Sequence, residues 1–226
     1  MQKHYIPTLL AAVVVALLGF TSCNNDDDNT PSAMALVDFM TFESQSTSSM
    51  QFTYQRGANS PQVTLSCAQT FNTEVEPGTR MVVMFYAPGD TLPATNTTIQ
   101  LVQAQRALTA PARVVNIADS VQWNQNSLYL TSISRTGRYL NVVAGVNTDI
   151  SKQQFGFWAD EATLSTDTPV VYLVNLTEGL WSYTLTPVYA SFDLKPILER
   201  ATSADQVEIR VNNSNNTELK SFKFPL

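Results

Sequence analysis

Short segments of strand-forming sequence recur along most of this chain, and their spacing constrains its fold more than any other feature. Apolar and polar residues alternate over residues 50–54 and 63–67, with the turn-like loop RGANSP at 56–61 between them. Such alternation predicts strands with one buried face, whereas the continuous apolar run 81–86 predicts a strand buried on both faces. Further strand-like segments lie at residues 99–104, 113–117, 128–133, 139–146, 155–158, 170–176, 181–185, 207–211 and 222–224. Many short strands separated by turn residues predict an all-β fold.

One short helix is predicted near the C-terminal end of the chain. Asp193 is placed to cap it, and Pro196 suits its first turn. The apolar side chains of Leu194, Ile197 and Leu198 share one side of that helix.

Composition excludes several classes of protein. The chain has 226 residues, of which 44% are hydrophobic and 14% are charged, so it can bury a core. Its net charge of -6, with only 13 Lys and Arg residues, argues against a general nucleic-acid binder. The two closest glycines, Gly137 and Gly145, are too far apart for a phosphate-binding loop or a GxSxG nucleophile turn.

The first residues are typical of a secretory signal peptide. Lys3 precedes an apolar segment at 8–20, which is shorter than the roughly 20 residues that a membrane-spanning helix needs. Phe20-Thr21-Ser22-Cys23 then resembles a bacterial lipobox. We therefore expect residues 1–22 to be removed and Cys23 to carry lipid that anchors the protein in a membrane. The alternative is an ordinary signal peptide with a chance cysteine.

An acidic tether follows the predicted lipidation site. It spans residues 23–33 and contains Asp26, Asp27 and Asp28. Acidic residues in this position resemble the surface-export signal of Bacteroidota lipoproteins, which favours a surface-exposed outer-membrane protein. A solvated linker at a periplasmic location would have the same composition.

Removal of the signal peptide also leaves the mature chain without a histidine. The only histidine, His4, is lost, and Cys67 is left as the one unmodified cysteine. Without a His, and with no Ser three residues before any remaining Lys, the usual bases for a nucleophilic Ser or Cys are missing. We predict no catalytic residues, no bound metal and no cofactor. Cys67 continues the 63–67 alternation, so we expect it to be a buried small hydrophobe.

Four segments together resemble the NigD-like lipoproteins of Bacteroidota. Residues 76–85 (EPGTRMVVMF) resemble that family's G-x-R-V-x-V-x-Y strand, and 99–102 lies where the next strand would run. Residues 139–143 (YLNVV) resemble its Y-L-N strand, and 191–194 (SFDL) resembles the segment before its short helix. The order and spacing of these segments carry the resemblance.

This resemblance implies an N-terminal OB-like β-barrel followed by a C-terminal β-sandwich. We place the barrel at residues 34–110 and the sandwich at 111–226, with the softest boundary around Thr109-Ala110-Pro111. The family brings no established catalytic residues to this chain.

A few polar and aromatic residues are candidates for ligand contact. Trp158, Asp160 and Glu161 lie together after a predicted strand, although core packing is the simpler interpretation for the tryptophan. The two acids could join Asp167 around Ca²⁺, but a solvated loop is the favoured alternative. Four arginines could line a barrel face, and the simpler interpretation is that they are solubilising: Arg56, Arg80, Arg135 and Arg138.

The predicted function is a non-enzymatic binding or interaction module of the cell envelope. A glycan or an envelope protein is the expected partner besides the membrane, and the sequence leaves the oligomeric state open. Two alternatives remain, a glycan hydrolase built on two carboxylates and a bacteriocin-immunity or envelope-assembly role.

Two tripeptides resemble Bacteroidota O-glycosylation sites, with the sugar on Thr91 (DTL) and Ser120 (DSV). Both lie in predicted loops, where a glycan could attach without disturbing a sheet. We expect intact-mass measurement of the protein from its native host to show added hexose-rich mass, lost stepwise in Thr91→Val and Ser120→Ala. An unmodified mass would contradict this prediction.

Overall fold

The fold is taken from a computed structural model that describes residues 34–117, 126–148, 155–176, 181–214 and 221–226. Strands dominate this part of the chain and form three mixed sheets, none of which closes into a barrel by strand pairing. The predicted all-β class is therefore confirmed. Within the described residues, no helix is both long enough and apolar enough to cross a bilayer.

The N-terminal half is one sheet of six strands in the order β5-β3-β2-β1-β4-β6. Its inner face carries a core built from large apolar side chains, including Met40, Phe42, Phe52, Leu65 and Phe85. The strands are β1 (Leu36–Gln45), β2 (Met50–Gln55), β3 (Gln62–Cys67), β4 (Arg80–Tyr86), β5 (Thr97–Thr98) and β6 (Gln100–Arg106).

The two ends of this sheet lie on one continuous segment. Only Ile99 separates β5, which pairs with β3, from β6, which pairs with β4. The Ile99 amide donates to the Ser66 carbonyl at 2.8 Å. The side-chain amide of Gln69 exchanges hydrogen bonds with the Leu101 backbone at 3.0 and 3.4 Å, much as a paired strand would. The sheet is thus strongly curled, and its edges approach each other.

The C-terminal half consists of two sheets that face each other across a second core. One sheet has the order β7-β13-β10-β9 and the other β15-β14-β12-β11-β8. Phe157 of β11 stacks on Phe192 of β13 with ring centroids 5.5 Å apart. The strands are β7 (Leu108–Pro111), β8 (Arg113–Val115), β9 (Tyr129–Thr136), β10 (Tyr139–Thr148), β11 (Phe155–Asp160), β12 (Val170–Asn175), β13 (Trp181–Asp193), β14 (Gln206–Val211) and β15 (Ser221–Pro225).

Several strands were not anticipated from the sequence. Strand β1 lacks clean alternation because Phe39, on its outward face, is also buried, against the C-terminal half. Thr109–Pro111, where we predict the domain boundary, lies in β7. This strand is at the edge of its sheet and pairs with β13, and an edge strand tolerates a proline. Strand β13 continues to Asp193.

The predicted helix is present but shorter. Helix α1 spans Lys195–Leu198, with Leu194 at its N-cap. Asp193 does not occupy the cap position, yet its Oδ1 accepts a hydrogen bond from the Lys195 amide at 3.0 Å. The carboxylate therefore satisfies a helix-terminal donor, as a capping side chain would.

The two halves meet at a joint that is partly apolar. Phe39, Val82 and Ala107 are buried there against Val143 and Tyr189 of the C-terminal half. The Phe39 and Tyr189 ring centroids lie 6.5 Å apart. These contacts make residues 33–226 one compact unit.

A buried arginine lies at the centre of this joint. Arg80 is only 3% exposed. Its Nε donates to Ser191 Oγ at 3.1 Å and its Nη1 to Thr41 Oγ1 at 3.0 Å. Its Nη2 donates to Thr136 Oγ1 at 2.7 Å and to Asn141 Oδ1 at 3.0 Å. One side chain of β4 thus bonds to β1 in its own half and to β9, β10 and β13 in the other.

The partners of Arg80 also bond to one another. Asn141 Nδ2 donates to Thr136 Oγ1 at 2.8 Å, and Ser191 Oγ donates to Asn141 Oδ1 at 2.9 Å. The guanidinium stacks 4.4 Å from the centroid of the Tyr139 ring. This closed network leaves few polar atoms at the joint without a partner, as buried polar groups require.

The side-chain groups that accept hydrogen bonds from Arg80 are all neutral. Burial lowers the pKa of Arg80 to about 10, and electrostatic attraction to Tyr139 and Asp38 offsets part of that shift. The interpretation of Arg80 as a solubilising surface cation is therefore wrong, because desolvation of this side chain is nearly complete. Arg80, Tyr139, Asn141 and Ser191 belong to the segments that carry the NigD-like resemblance, so those segments meet at one structural contact.

A tight turn completes the joint. Gly137 lies between β9 and β10 with φ +57°, a conformation that favours glycine. Its amide donates to the carbonyls of Gln55 at 2.9 Å and Gly57 at 3.2 Å. A Cβ at this position would lie 2.8 Å from Gln55 Oε1. Glycine therefore suits this turn, because another residue would be strained at this φ and would displace the end of the Gln55 side chain.

The remaining cysteine is buried as predicted. Cys67 is 1% exposed, within the core of the N-terminal half, and it is a free thiol. Burial raises the pKa of its thiol. Unfolding therefore favours the thiolate, so Cys67 makes the native state less stable as the pH rises past the ordinary thiol range.

Loss of the Arg80 guanidinium should weaken the whole protein. Arg80→Met removes four donated hydrogen bonds and leaves their acceptors buried. We expect the free energy of unfolding to fall by about 3–5 kcal/mol, which is roughly 6–20 °C in Tm for a chain of this length. Arg80→Lys should recover only part of this loss because an ammonium lacks the planar fork.

Arg138→Met is the matched control. Arg138 also lies beside Tyr139 and pairs with Asp193 at 3.0 Å, but its side chain is 53% exposed. An exposed pair of this kind contributes about 0–1 kcal/mol. Equal Tm values for Arg80→Met and Arg138→Met in thermal unfolding would contradict the role assigned to Arg80.

The Cys67 thiol should react slowly in the native protein. In a Cys23→Ser variant it is the one thiol left after signal removal, so 5,5′-dithiobis(2-nitrobenzoic acid) reports on it alone. We expect labelling at pH 8 to be slower than in guanidinium chloride by a factor on the order of 100 or more, because reaction requires opening of the core. Equal rates in the two conditions would show that the thiol is accessible.

Candidate functional site

The chain passes from one sheet of the C-terminal half to the other at a sharp corner. Strand β7 pairs with β13 and β8 pairs with β11, and only Ala112 lies between them. Ala112 is 2% exposed, and its amide donates to the Asp193 carbonyl at 2.8 Å. This corner brings the edges of the two sheets close together.

A cavity of about 300 Å³ lies at this corner, and we call it the corner cavity. Its volume is at the lower end of the range for small-ligand sites. Aliphatic and aromatic side chains form most of its wall. The lining residues are Leu108, Thr109, Ala110, Pro111, Arg113, Phe155, Gly156, Trp158, Leu176, Ala190 and Phe192.

Trp158 and Gly156 shape one wall of the corner cavity. Trp158 is 8% exposed and packs with Val170, Tyr172 and Val174. Its Nε1 lies 2.6 Å from where a Cβ of Gly156 would be, so the indole folds over that glycine. The predicted core packing of Trp158 is confirmed by its burial, and the same side chain also lines the cavity.

One edge of β11 is open beside the cavity. On one side β11 pairs with β12 along Phe155–Ala159. On the other side β8 pairs with it only at Trp158, Ala159 and Asp160. Among the described residues, no strand pairs with that second side at 155–157. Backbone donors or acceptors of this stretch therefore face the cavity side of the sheet.

Arg113 is the one charged residue among the described residues that line the cavity. It is exposed, and no hydrogen bond or ion pair joins it to another described residue. Among the residues that the structure describes, no Asp or Glu lines this cavity. Polar and apolar surface contribute about equally to this wall, so together with Arg113 it suits a ligand that has both kinds of group and carries a negative charge.

The acidic neighbours of Trp158 are engaged elsewhere. Asp160 Oδ1 accepts a hydrogen bond from the Ala162 amide at 3.2 Å and so caps the short 3-10 turn Glu161–Thr163. Glu161 Oε1 accepts from Arg200 Nη2 at 2.6 Å. Neither acid lines the corner cavity. The structure thus separates Trp158 from Asp160 and Glu161.

Other candidate sites have mixed outcomes. No group of three or more His, Cys, Asp or Glu side chains that could hold a metal ion occurs within the described residues. Thr91 is exposed just after the 3-10 turn Pro88–Asp90, so its hydroxyl is accessible to a modifying enzyme. Three predicted sites lie outside the described residues: Cys23, Asp26–Asp28 and Ser120.

Sequence reasoning missed most of the cavity wall. Leu108, Arg113, Phe155 and Leu176 come from four separate segments, and no local motif joins them. Only the short interval between β7 and β8 hinted that the chain turns between sheets there. A cavity that depends on sheet pairing leaves little trace in sequence.

Comparison with known proteins gives no match by sequence. No family model matches this chain, and no curated protein does.

Solved structures, in contrast, share its fold at low sequence identity. A protein of unknown function, DUF1344, from Bacteroides vulgatus is 13% identical with a TM-score of 0.62, over 85% of this chain and 90% of that one. A candidate lipoprotein from Bacteroides fragilis is 10% identical with a TM-score of 0.59, over 85% of this chain and 96% of that one. A NigD-like immunity protein from Bacteroides caccae is 17% identical with a TM-score of 0.55, over 86% of this chain and 93% of that one. This chain therefore has the fold of these Bacteroidota proteins, a NigD-like protein among them, in agreement with the resemblance found in its sequence.

Proposed function

We propose that this protein is a lipid-anchored, non-enzymatic binding module of the bacterial cell envelope, and that its ligand occupies the corner cavity. The observation that carries the proposal is the wall of that cavity, whose described residues combine apolar side chains with Arg113 and include no carboxylate. Such a wall suits binding and orientation, whereas hydrolysis would need a base or an acid there.

The proposed architecture is an OB-type barrel docked on a β-sandwich. Strands β1, β2 and β3 run as an antiparallel meander, β4 pairs with β1, and the β5–β6 segment pairs with both β3 and β4. This order of pairing supports a partly open five-stranded Greek-key barrel, in which β5 and β6 act as one bent strand. The Gln69 amide at Leu101 supports the same proposal, since it bridges the seam.

An envelope location is proposed from the sequence and from the shared fold. Cys23 follows an apolar signal segment, and Asp26–Asp28 follow Cys23. One protein with this fold is described as a candidate lipoprotein. We therefore propose an outer-membrane lipoprotein that is exposed on the cell surface.

A self-protection role is the second candidate. One protein with the same fold is described as a NigD-like immunity protein. Deletion of the gene followed by exposure of the mutant to bacteriocins tests this role directly. Increased sensitivity would favour immunity, and unchanged sensitivity would count against it.

Ligand binding without turnover can be observed at Trp158 itself. The chain contains three tryptophans, so 5-fluorotryptophan labelling should give three fluorine NMR signals, with Trp158→Phe identifying the one at the cavity. We expect at least one fraction of native envelope oligosaccharides or peptides to shift the Trp158 signal. The mass spectrum of that fraction should stay the same after incubation with the protein. Conversion of any such compound, or a Trp158 signal that no fraction moves, would contradict the proposed function.

Lipid attachment at Cys23 can be tested by labelling with an alkyne analogue of palmitate. We expect the wild-type protein to incorporate the label and to remain in the membrane fraction. Cys23→Ser should not incorporate the label, because its hydroxyl does not replace the thiol in lipid transfer. Cys67→Ser is the matched control and should be labelled like the wild type. Label on Cys23→Ser would contradict the anchor.

The acidic tether should determine which side of the outer membrane the protein faces. In a variant with Asp26, Asp27 and Asp28 all replaced by Asn, we expect lipid labelling to persist. Cleavage by protease added to intact cells should fall strongly, because the variant stays on the periplasmic face. Equal cleavage of variant and wild type would show that these acids do not direct export.

A further inference from the structure

We propose that the corner cavity binds an extended peptide segment, which lies along the open edge of β11 and presents a carboxylate to Arg113. This inference rests on the proposed binding function and names the chemical class of the ligand.

The open edge of β11 supplies the main-chain recognition. Residues 155–157 pair with β12 on one side, and no described strand pairs with them on the other. A strand edge with unpaired N–H and C=O groups is a template for another extended chain. Phe155 and Gly156 at this edge also line the cavity, so the open backbone and the cavity adjoin each other.

The walls of the cavity suit the side chains of an extended peptide. Leu108 of β7 is 44% exposed, although it belongs to the cavity wall. Together with Phe155 and Leu176 it offers apolar surface that a ligand side chain can cover. A peptide that adds to a sheet gains affinity from backbone hydrogen bonds and specificity from pockets for alternate side chains.

Arg113 determines the charge of the ligand. Of the described lining residues it is the one that carries a charge, it is exposed, and no acidic residue of the described segments pairs with it. It pairs in register with Trp158, two residues from Gly156. A carboxylate at the end of a peptide, or on an acidic side chain, can therefore accept bidentate hydrogen bonds beside the open edge.

The burial of Trp158 favours a peptide over a sugar. Stacking on a sugar ring requires a broad exposed aromatic face, and Trp158 is only 8% exposed. Its Nε1 lies over Gly156, within the cavity wall, and bonds to no other described residue. An indole N–H in this place can donate to a peptide carbonyl.

A C-terminally displayed library of random heptapeptides tests this proposal with the mature chain. We expect the library to be enriched in peptides with alternating apolar residues. Each enriched peptide is then synthesised with a free and with an amidated C-terminus, which distinguishes a terminal carboxylate from an acidic side chain. If the terminal carboxylate is the one bound, amidation should raise Kd about tenfold or more. If an acidic side chain is bound instead, replacement of that Asp by Asn, or of that Glu by Gln, should raise Kd by the same factor.

Two readouts locate the binding at this cavity. Arg113→Gln should weaken binding as much as loss of the carboxylate. Arg56→Gln removes an exposed arginine that does not line the cavity, and it should change Kd less than twofold, since an exposed charge outside a site contributes little. Amide hydrogen exchange at residues 155–157 should slow when peptide is bound.

Three results would overturn the inference. These are a library without enrichment, enriched peptides that bind Arg113→Gln as tightly as the wild type, or unchanged exchange at 155–157. If oligosaccharides shift the Trp158 fluorine signal while no peptide does, the proposed binding function stands and only the peptide inference fails. If neither class shifts that signal, both fail.

Discussion

The buried Arg80 network is the interaction on which the rest of this structure depends. Desolvation of a guanidinium is costly, and here no carboxylate hydrogen-bonds to it in return. Its four hydrogen bonds instead go to hydroxyl and amide groups from strands of both halves. Such a network is satisfied in only one relative position of the two halves, because a shift of either half would leave the charge and its partners unpaired. The network therefore specifies how the halves dock, and the contacts around Phe39 and Tyr189 bury apolar surface between them.

The sequence allowed prediction of most strands and of the fold class, because alternation reports local burial. It placed Cys67 correctly for the same reason. It missed β1 because Phe39, on the strand's outward face, is buried by the other half, a fact that no local pattern encodes. It also misinterpreted Arg80 as a surface cation, since burial of an arginine depends on partners up to 111 residues away. The resemblance to NigD-like proteins pointed to Arg80, Tyr139, Asn141 and Ser191 without revealing that they meet.

The corner cavity follows from topology in a similar way. Ala112 takes the chain from one sheet to the other, and β8 is too short to cover the whole edge of β11. Trp158 was predicted as a candidate contact and does line the cavity, whereas Asp160 and Glu161 cap a turn and pair with Arg200. A rigid joint and an open sheet edge lie in the same compact unit. This arrangement fits a protein that presents a preformed binding surface.

Equilibrium unfolding followed separately in each half tests the central claim most directly. Cys67 fluorescence labelling reports on the N-terminal core, and hydrogen exchange in β12 reports on the core of the C-terminal half. If Arg80 couples the halves, both probes give one coincident transition in the wild type. Arg80→Met should then separate them, with one half unfolding at lower denaturant than the other. Two separate transitions in the wild type, or coincident transitions that persist in Arg80→Met, would contradict the account.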